Sequence, residues 1–238
     1  MTTRIELDSV SFSYGERAVL RKVSASIPVG EFTCLLGPNG AGKTTVAQLI
    51  AGELAPSRGR VSLYRDDAPG ETAEVRRNVA YLPQDLQDPP FVTVRELVSL
   101  GKFSPKRSLG WRVSEKDREA IEKHIARCLA ESFADRPFSQ LSGGEKQRVW
   151  LAFCLAQQRE FLLLDESLHQ MDYSMKELFF RMLSDLTRNG KGVILITHDL
   201  QMAMRHGSRM LVLRDGELVY DGTPDHEIYS LMEHAHRL

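Results

Sequence analysis

The string Gly37-Pro38-Asn39-Gly40-Ala41-Gly42-Lys43-Thr44 stands between a short apolar run, Phe32 to Leu36, and a helix-like stretch, Thr44 to Ala51. A strand, a glycine-rich turn and a helix in that order constrain the fold more than any other feature of the chain. Glycines let successive backbone N–H groups turn inward around phosphate oxygens, and the helix N-terminus adds its dipole. In the pattern G-x-x-x-x-G-K-[ST], Lys43 supplies a point charge for terminal phosphates and the Thr44 hydroxyl is placed to ligate Mg²⁺. A nucleotide phosphate and a magnesium ion are therefore the expected ligands. An incidental glycine-rich turn would not require the flanking strand and helix.

A second set of residues belongs with this loop. Phe161 to Leu164 is apolar on both faces, as a central strand of a covered parallel sheet should be, and it ends in Asp165-Glu166. Ligands of open α/β sheets sit beyond the C-terminal ends of strands, where these carboxylates would project. Asp165 would hold the Mg²⁺ shell and Glu166 would polarise an attacking water. Val193 to Ile196 is another such strand, with His198 just beyond its end.

The rest of the chain organises around this core. Ile5 to Asp8 alternates, with Val10 and Phe12 extending the same face, which predicts a half-buried strand of antiparallel or edge kind. Arg60 to Tyr64 and Asn78 to Leu82 are further strand candidates. From about residue 88 to 155 the character is helical. Thr93 with Glu96 makes a capping box, Ser114 with Asp117 a second start, and Ile121, Ile125 and Leu129 mark one face. Ser174 and Glu177 predict the start of a helix whose Leu178, Met182, Leu183 and Leu186 face inward and which ends at Asn189-Gly190. Met210 to Leu213 and Glu217 to Tyr220 flank Asp215-Gly216, a two-residue hairpin signal. The expectation is an α/β chain forming one domain of 238 residues. Residues 1–87 and 156–238 form a mixed-sheet, phosphate-binding core with an N-terminal antiparallel β subdomain, and 88–155 form an inserted helical subdomain.

Leu141-Ser142-Gly143-Gly144-Glu145 is the most specific string. Ser142 and Glu145 read as a capping box, and the glycines leave the helix N-terminus bare, which makes an anion site or an ordinary helix start. This string resembles the signature motif of ATP-binding-cassette (ABC) ATPase subunits, and the likeness extends along nearly the whole chain in the right order. Tyr14 resembles the aromatic residue that stacks on adenine. Gly37 to Thr45 (with Pro38, Asn39, Gly40, Ala41, Gly42, Lys43 and Thr44) is similar to the Walker A motif. Gln84 stands at the Q-loop position, shared between catalysis and metal binding, and Phe161 to Glu166 resembles Walker B. Asp172 matches the D-loop aspartate and His198 the switch histidine.

The resemblance implies the P-loop nucleotide-hydrolase fold, with ATP and Mg²⁺ as cofactors. Glu166, His198 and Gln84 would be catalytic, with Thr44, Gln84 and Asp165 at the metal. It also implies a head-to-tail dimer of two copies, in which Ser142, Gly143, Gly144 and Glu145 of one copy face the ATP of the other. One departure stands out: the family continues from Walker B with Pro-Thr and small residues, whereas here Ser167-Leu168-His169-Gln170-Met171 precedes Asp172.

Composition narrows the purpose. No stretch approaches the roughly 18 apolar residues of a membrane span, and the N-terminus lacks a signal-peptide core. Thirty-one Lys and Arg against 32 Asp and Glu give a formal charge of -1, which argues against a nucleic-acid partner. Cys34, Cys128 and Cys154 form no CxxC pair and read as small core residues of a reduced cytosolic protein, and His234 and His236 read as a solvated tail, not a metal site. Thr93 to Gly101, the loop to Trp111 and Gln147-Arg148-Val149-Trp150 resemble the subfamily serving iron-siderophore, haem and cobalamin uptake. The leading expectation is thus an importer ATPase, peripheral on the cytoplasmic face of the membrane. It would work with separate permease subunits and, through them, an extracytoplasmic solute-binding protein. The alternative is an ATPase for lipoprotein or drug export. A mechanical ATPase of DNA repair or a translation factor fits less well, because there is one Walker A motif and only a short separation between Gln84 and Leu141. The basic loop with Lys102, Lys106, Arg107, Trp111 and Arg112 is expected to help contact the permease.

Overall fold

The computed structural model describes residues 2–70, 72–102, 114–168 and 170–233. Its centre is a six-stranded mixed sheet in the order β10-β9-β3-β8-β7-β6, where β3 is Phe32–Leu36, β6 Val79–Leu82, β7 Phe161–Asp165, β8 Gly192–Ile196, β9 Arg209–Arg214 and β10 Glu217–Gly222. The pairs from β6 to β9 are parallel and β10 returns antiparallel. Every residue of β3, β7 and β8 is buried, the consequence of being covered on both faces. Phe32, Cys34 and Leu36 enter one core layer and Leu35 the other, as a period of two requires.

The N-terminal part forms a four-stranded antiparallel sheet in the order β2-β1-β4-β5, from β1 Thr3–Tyr14, β2 Arg17–Pro28, β4 Arg58–Arg65 and β5 Ala68–Pro69. The first strand lies between β2 and β4, so it is internal and not an edge. The change of parity between Leu7 and Val10 is absorbed by a bulge, where Ser9 takes a φ of +50°; that keeps Ile5, Leu7, Val10 and Phe12 on the same buried side. Helix α1, Lys43–Ala51, and the short α2, Thr72–Asn78, lie between the two sheets, with Val46, Leu49, Ile50 and Val75 buried there.

Three helices pack together on the other side: α3 Val94–Leu100, α4 Glu115–Arg127 and α5 Gly143–Ala156. The capping signals at Thr93 and Ser142 are both complete boxes, and Ser114 accepts from the Asp117 N–H at 3.1 Å. Ile121 and Ile125 are buried, but Leu129 is 40% exposed. The helix ends at Arg127 and Leu129 sits beyond it at a φ of +55°, so the inward position falls to Cys128 instead. Helix α6, Tyr173–Arg188, starts earlier than its Ser174 signal, because Asp172 is the residue that caps it, accepting from the Met175 N–H at 2.9 Å. That frame turns Leu178 outward and places Phe179, Phe180, Met182, Leu183 and Leu186 inside. Helices α7, Leu200–His206, and α8, Glu227–Glu233, complete the chain.

Asp215 and Gly216 have φ of +50° and +80°, the two positive values that a tight hairpin of this kind needs. All three cysteines are free and buried; burial pushes the thiols of Cys128 and Cys154 up to about 12. Lys106, Arg107, Trp111, Arg112, His169, His234 and His236 lie outside the described residues, as do the expectations attached to them.

Phe180 is 1% exposed and packs on Phe32 at 5.9 Å between ring centroids, tying α6 to the strand that carries the glycine-rich loop. Phe180→Ala should cost about 3–5 kcal/mol of stability, read by urea denaturation.

Candidate nucleotide site

The glycine-rich loop leaves β3 between two parallel neighbours and enters α1 without a side-chain cap, because Gly42 holds the N-cap position at a φ of +103°. A Cβ there would meet Leu20 Cδ2 at 2.7 Å, and one on Gly37 would lie 2.1 Å from the Leu213 carbonyl oxygen. The two glycines are thus fixed by packing against β2 and β9 as well as by backbone conformation. Lys43 is buried and donates from Nζ to the carbonyls of Gly37 and Pro38, both at 2.9 Å. Burial lowers its pKa, and the charges of Glu166 and Asp165 oppose that shift.

A cleft of about 930 Å³ opens over this loop. Its walls include Asn39, Gly40, Gly42, Lys43, Thr44 and Thr45 of the loop and helix start, together with Tyr14, Gln84, Glu166 and His198. Tyr14 is 52% exposed, its ring set edge-on to Phe12 and its hydroxyl donating to Gln48 Oε1 at 3.3 Å, so one aromatic face is open to a planar base. Gly37, Pro38 and Ala41 shape the loop without lining the cleft. Arg17, Arg21, Asp215 and Gly216 also line it. Arg17 and Arg21 fall in the first half of β2, which does not alternate, whereas Val23 to Ile27 beyond the φ of +51° at Lys22 does; the sequence singles out neither half, and it marks Asp215-Gly216 only as a hairpin.

Asp165 ends β7 with zero exposure, and neither carboxylate oxygen makes a well-formed hydrogen bond among the described residues. Burial raises its pKa; the Thr44 hydroxyl and the Lys43 and His198 charges pull the other way, while Glu166 adds to the rise. A buried carboxylate beside the Thr44 hydroxyl, with no well-formed hydrogen bond among the described residues, is suited to a hard divalent cation, which the two residues would hold together with phosphate and water oxygens. Among the described residues no group of three or more His, Cys, Asp or Glu could hold a metal ion by itself.

Glu166 takes a φ of +48°, its N–H donating to the Ile196 carbonyl at 3.0 Å, and its Oε1 lies 2.5 Å from His198 Nε2. A left-handed backbone at a non-glycine residue stores strain, and such positions cluster at functional sites. The bond pins Glu166 to the neighbouring strand and aims its carboxylate across to His198. Behind the pair a small cavity of about 90 Å³ is closed by Leu168, Phe180 and the aliphatic stem of Lys176.

Ser142, Gly143, Gly144 and Glu145 do not line the cleft, nor does Asp172. Ser142 accepts from the Glu145 N–H and Glu145 returns the bond to the Ser142 N–H at 2.7 Å, so the capping box is closed while the first turn of α5 stays bare. In one chain the phosphate loop and this helix start are separate features.

The comparisons agree with one another. A family model described as ABC transporter matches residues 20–169. The chain is 33% identical over 221 residues to the iron(3+)-hydroxamate import ATP-binding protein FhuC of Bacillus subtilis, covering 92% of this chain and 82% of that protein. It is 34% identical to the ferric enterobactin transport ATP-binding protein FepC of Escherichia coli, over 93% and 82% of the two chains. To the hemin import ATP-binding protein HmuV of Rhodococcus jostii it is 35% identical, over 92% and 75%. Among solved structures it is similar to the dimeric bacterial ABC transporter cassette MJ0796, with a TM-score of 0.79 and 29% identity over 93% of this chain and 99% of that one.

The raised pKa of Asp165 means that its charged form penalises the nucleotide-free fold above the ordinary carboxylate range and not below it. Asp165→Asn should therefore raise the melting temperature of the nucleotide-free protein at pH 7, by a margin that shrinks as the pH falls and is gone in acid. The same variant should lose the Mg²⁺-dependent part of its ATP affinity; thermal scans and ATP titrations with and without Mg²⁺ check both.

Proposed function

The chain belongs to the ABC transporter family, and on that premise we propose that it is the ATP-hydrolysing subunit of an importer for iron-siderophore, haem or related chelates. The observation that carries the catalytic half is the convergence of the phosphate loop, Asp165 and the Glu166–His198 pair at one end of the parallel strands β3, β7 and β8. Import is supported by the relatives, which are named as import or transport ATP-binding proteins for hydroxamate, enterobactin and hemin. Nothing on the chain favours the export alternative.

In this reading Tyr14 stacks on adenine, the backbone N–H groups of Gly40 to Thr45 hold the phosphates, and Lys43 leaves its two carbonyls to meet the terminal phosphate. Mg²⁺ supplies charge neutralisation on those phosphates, with Thr44, Asp165 and Gln84 as its protein partners. Glu166 orients the attacking water and takes its proton, His198 holds the Glu166 carboxylate and the departing phosphate in register, and positioning with charge stabilisation supplies most of the rate. Ser142 to Glu145 and Asp172 serve the nucleotide of a second copy, packed head to tail.

Residues 88–155 are read as the inserted helical unit that transmits this closure. In this reading separate permease subunits carry the membrane span and this chain is peripheral on the cytoplasmic face; among its described residues no helix is long and apolar enough to cross a membrane. The expected solute-binding protein acts through those subunits. Leu86 and Phe91, 38% and 102% exposed just after Gln84, are the apolar surface best placed to meet the permease.

Two experiments test this. Glu166→Gln should keep ATP binding while turnover falls about 10²–10⁴-fold, measured by phosphate release; a rate equal to the parent would remove Glu166 from the role. Ser142→Arg should stop turnover yet leave ATP affinity of the monomer unchanged, because the serine acts across the dimer; loss of monomer binding would contradict the composite site.

A further inference from the structure

The run from Ser167 to Met171, where this chain departs from its family, makes a specific contact with the signature helix. Leu168 and Met171 are 5% and 7% exposed and join the helical core layer, so their bulk anchors the loop. Gln170 is exposed and lies against the start of α5. A Cβ on Gly143 would stand 2.1 Å from Gln170 Oε1 and 3.0 Å from its Cδ, and one on Gly144 would be 3.6 Å from the Gln170 main-chain oxygen. The Gln170 side-chain amide therefore packs beside Gly143 in the first turn of the 14-residue helix α5, whose leading backbone N–H groups lack helical partners.

Next to it is a second cavity of about 360 Å³, lined in part by Gln84, Gly143, Gln147, Ser167 and Gln170. Two polar atoms bordering it are buried without a hydrogen-bond partner among the described residues: Ser167 Oγ, on a residue 5% exposed, and Gln147 Oε1. Leaving such atoms unsatisfied is unfavourable. A primary amide complements both, because its NH₂ donates to a carbonyl oxygen and its oxygen accepts from a hydroxyl.

We propose that Gln170 is a two-position latch on the ATP-driven dimer. In the lone subunit its amide oxygen covers Gly143; when the terminal phosphate of the second copy's ATP takes that place, the amide turns into the cavity and pairs with Ser167 and Gln147. Gln170 thereby sets how much ATP is needed to close the dimer. The proposal rests on the composite-site reading of Ser142 to Glu145.

The test uses the full chain in a Glu166→Gln background and follows monomer and dimer by light scattering during a MgATP titration. Gln170→Ala removes the competitor and should lower the ATP midpoint of dimerisation about two- to fivefold. Gln170→Glu puts a carboxylate on the same helix start and should raise the midpoint by at least as much. Ser167→Ala removes the alternative berth and should also raise it. Binding of a fluorescent ATP analogue to the dilute monomer should be the same in all of them. An unchanged or raised midpoint for Gln170→Ala, or shifts of the same sign for the alanine and glutamate variants, would overturn the latch. If the Glu166→Gln parent stays monomeric at saturating MgATP, the composite site itself is wrong and the latch falls with it.

Discussion

Asp165 is held at zero exposure by the parallel pairing of β7 with β6 on one side and β8 on the other, and its oxygens find no well-formed hydrogen bond among the described residues. A buried carboxylate in that state is costly unless a cation joins it. The strand order that buries it also sets β3 two places away, with the glycine-rich loop at the same end of the sheet. Lys43, folded back onto two carbonyls, is a positive charge at rest, ready for a phosphate. Both groups are thus held in the fold where a cation and an anion would relieve them.

Much of this was legible in the sequence because it depends on local rules. Runs such as Phe161 to Leu164 announce central strands by being apolar on both faces, and Thr93, Ser114 and Ser142 mark helix starts by their caps. The hairpin at Asp215-Gly216 was equally plain. What escaped depended on context along the chain. Asp172 was recognised as a D-loop residue, so its role as the cap of α6 was overlooked, and the frame of that helix moved enough to turn Leu178 outward. Leu129 lies two residues past the end of the helix that would have buried it. Strand β2 alternates only from Val23 to Ile27, and Arg17 and Arg21, which line the cleft, lie in its irregular first half. The contact of Gln170 with Gly143 joins residues far apart in sequence and leaves no mark in either segment alone.

The geometry of one chain explains why it requires a second. The glycine-rich loop, Glu166 and His198 line one cleft, with Asp165 buried at the neighbouring strand end, whereas the start of α5 lies outside that cleft. The similarity to a dimeric ABC transporter cassette gives the form that a partnership takes in the family. The D-loop run lies between these two halves within the chain: Leu168 closes the space behind Glu166 and His198, and Gln170 touches Gly143.

The central claim is that each active site is built from two copies of this chain, and mixing two damaged copies tests it directly. Lys43→Ala spoils the phosphate loop and Ser142→Arg spoils the signature helix, so each protein alone should be inactive. In a mixed dimer, the phosphate loop of the Ser142→Arg chain faces the intact signature of the Lys43→Ala chain. ATP hydrolysis should therefore reappear when the two are combined. A mixture as inactive as its components, although the two chains associate, would contradict the account.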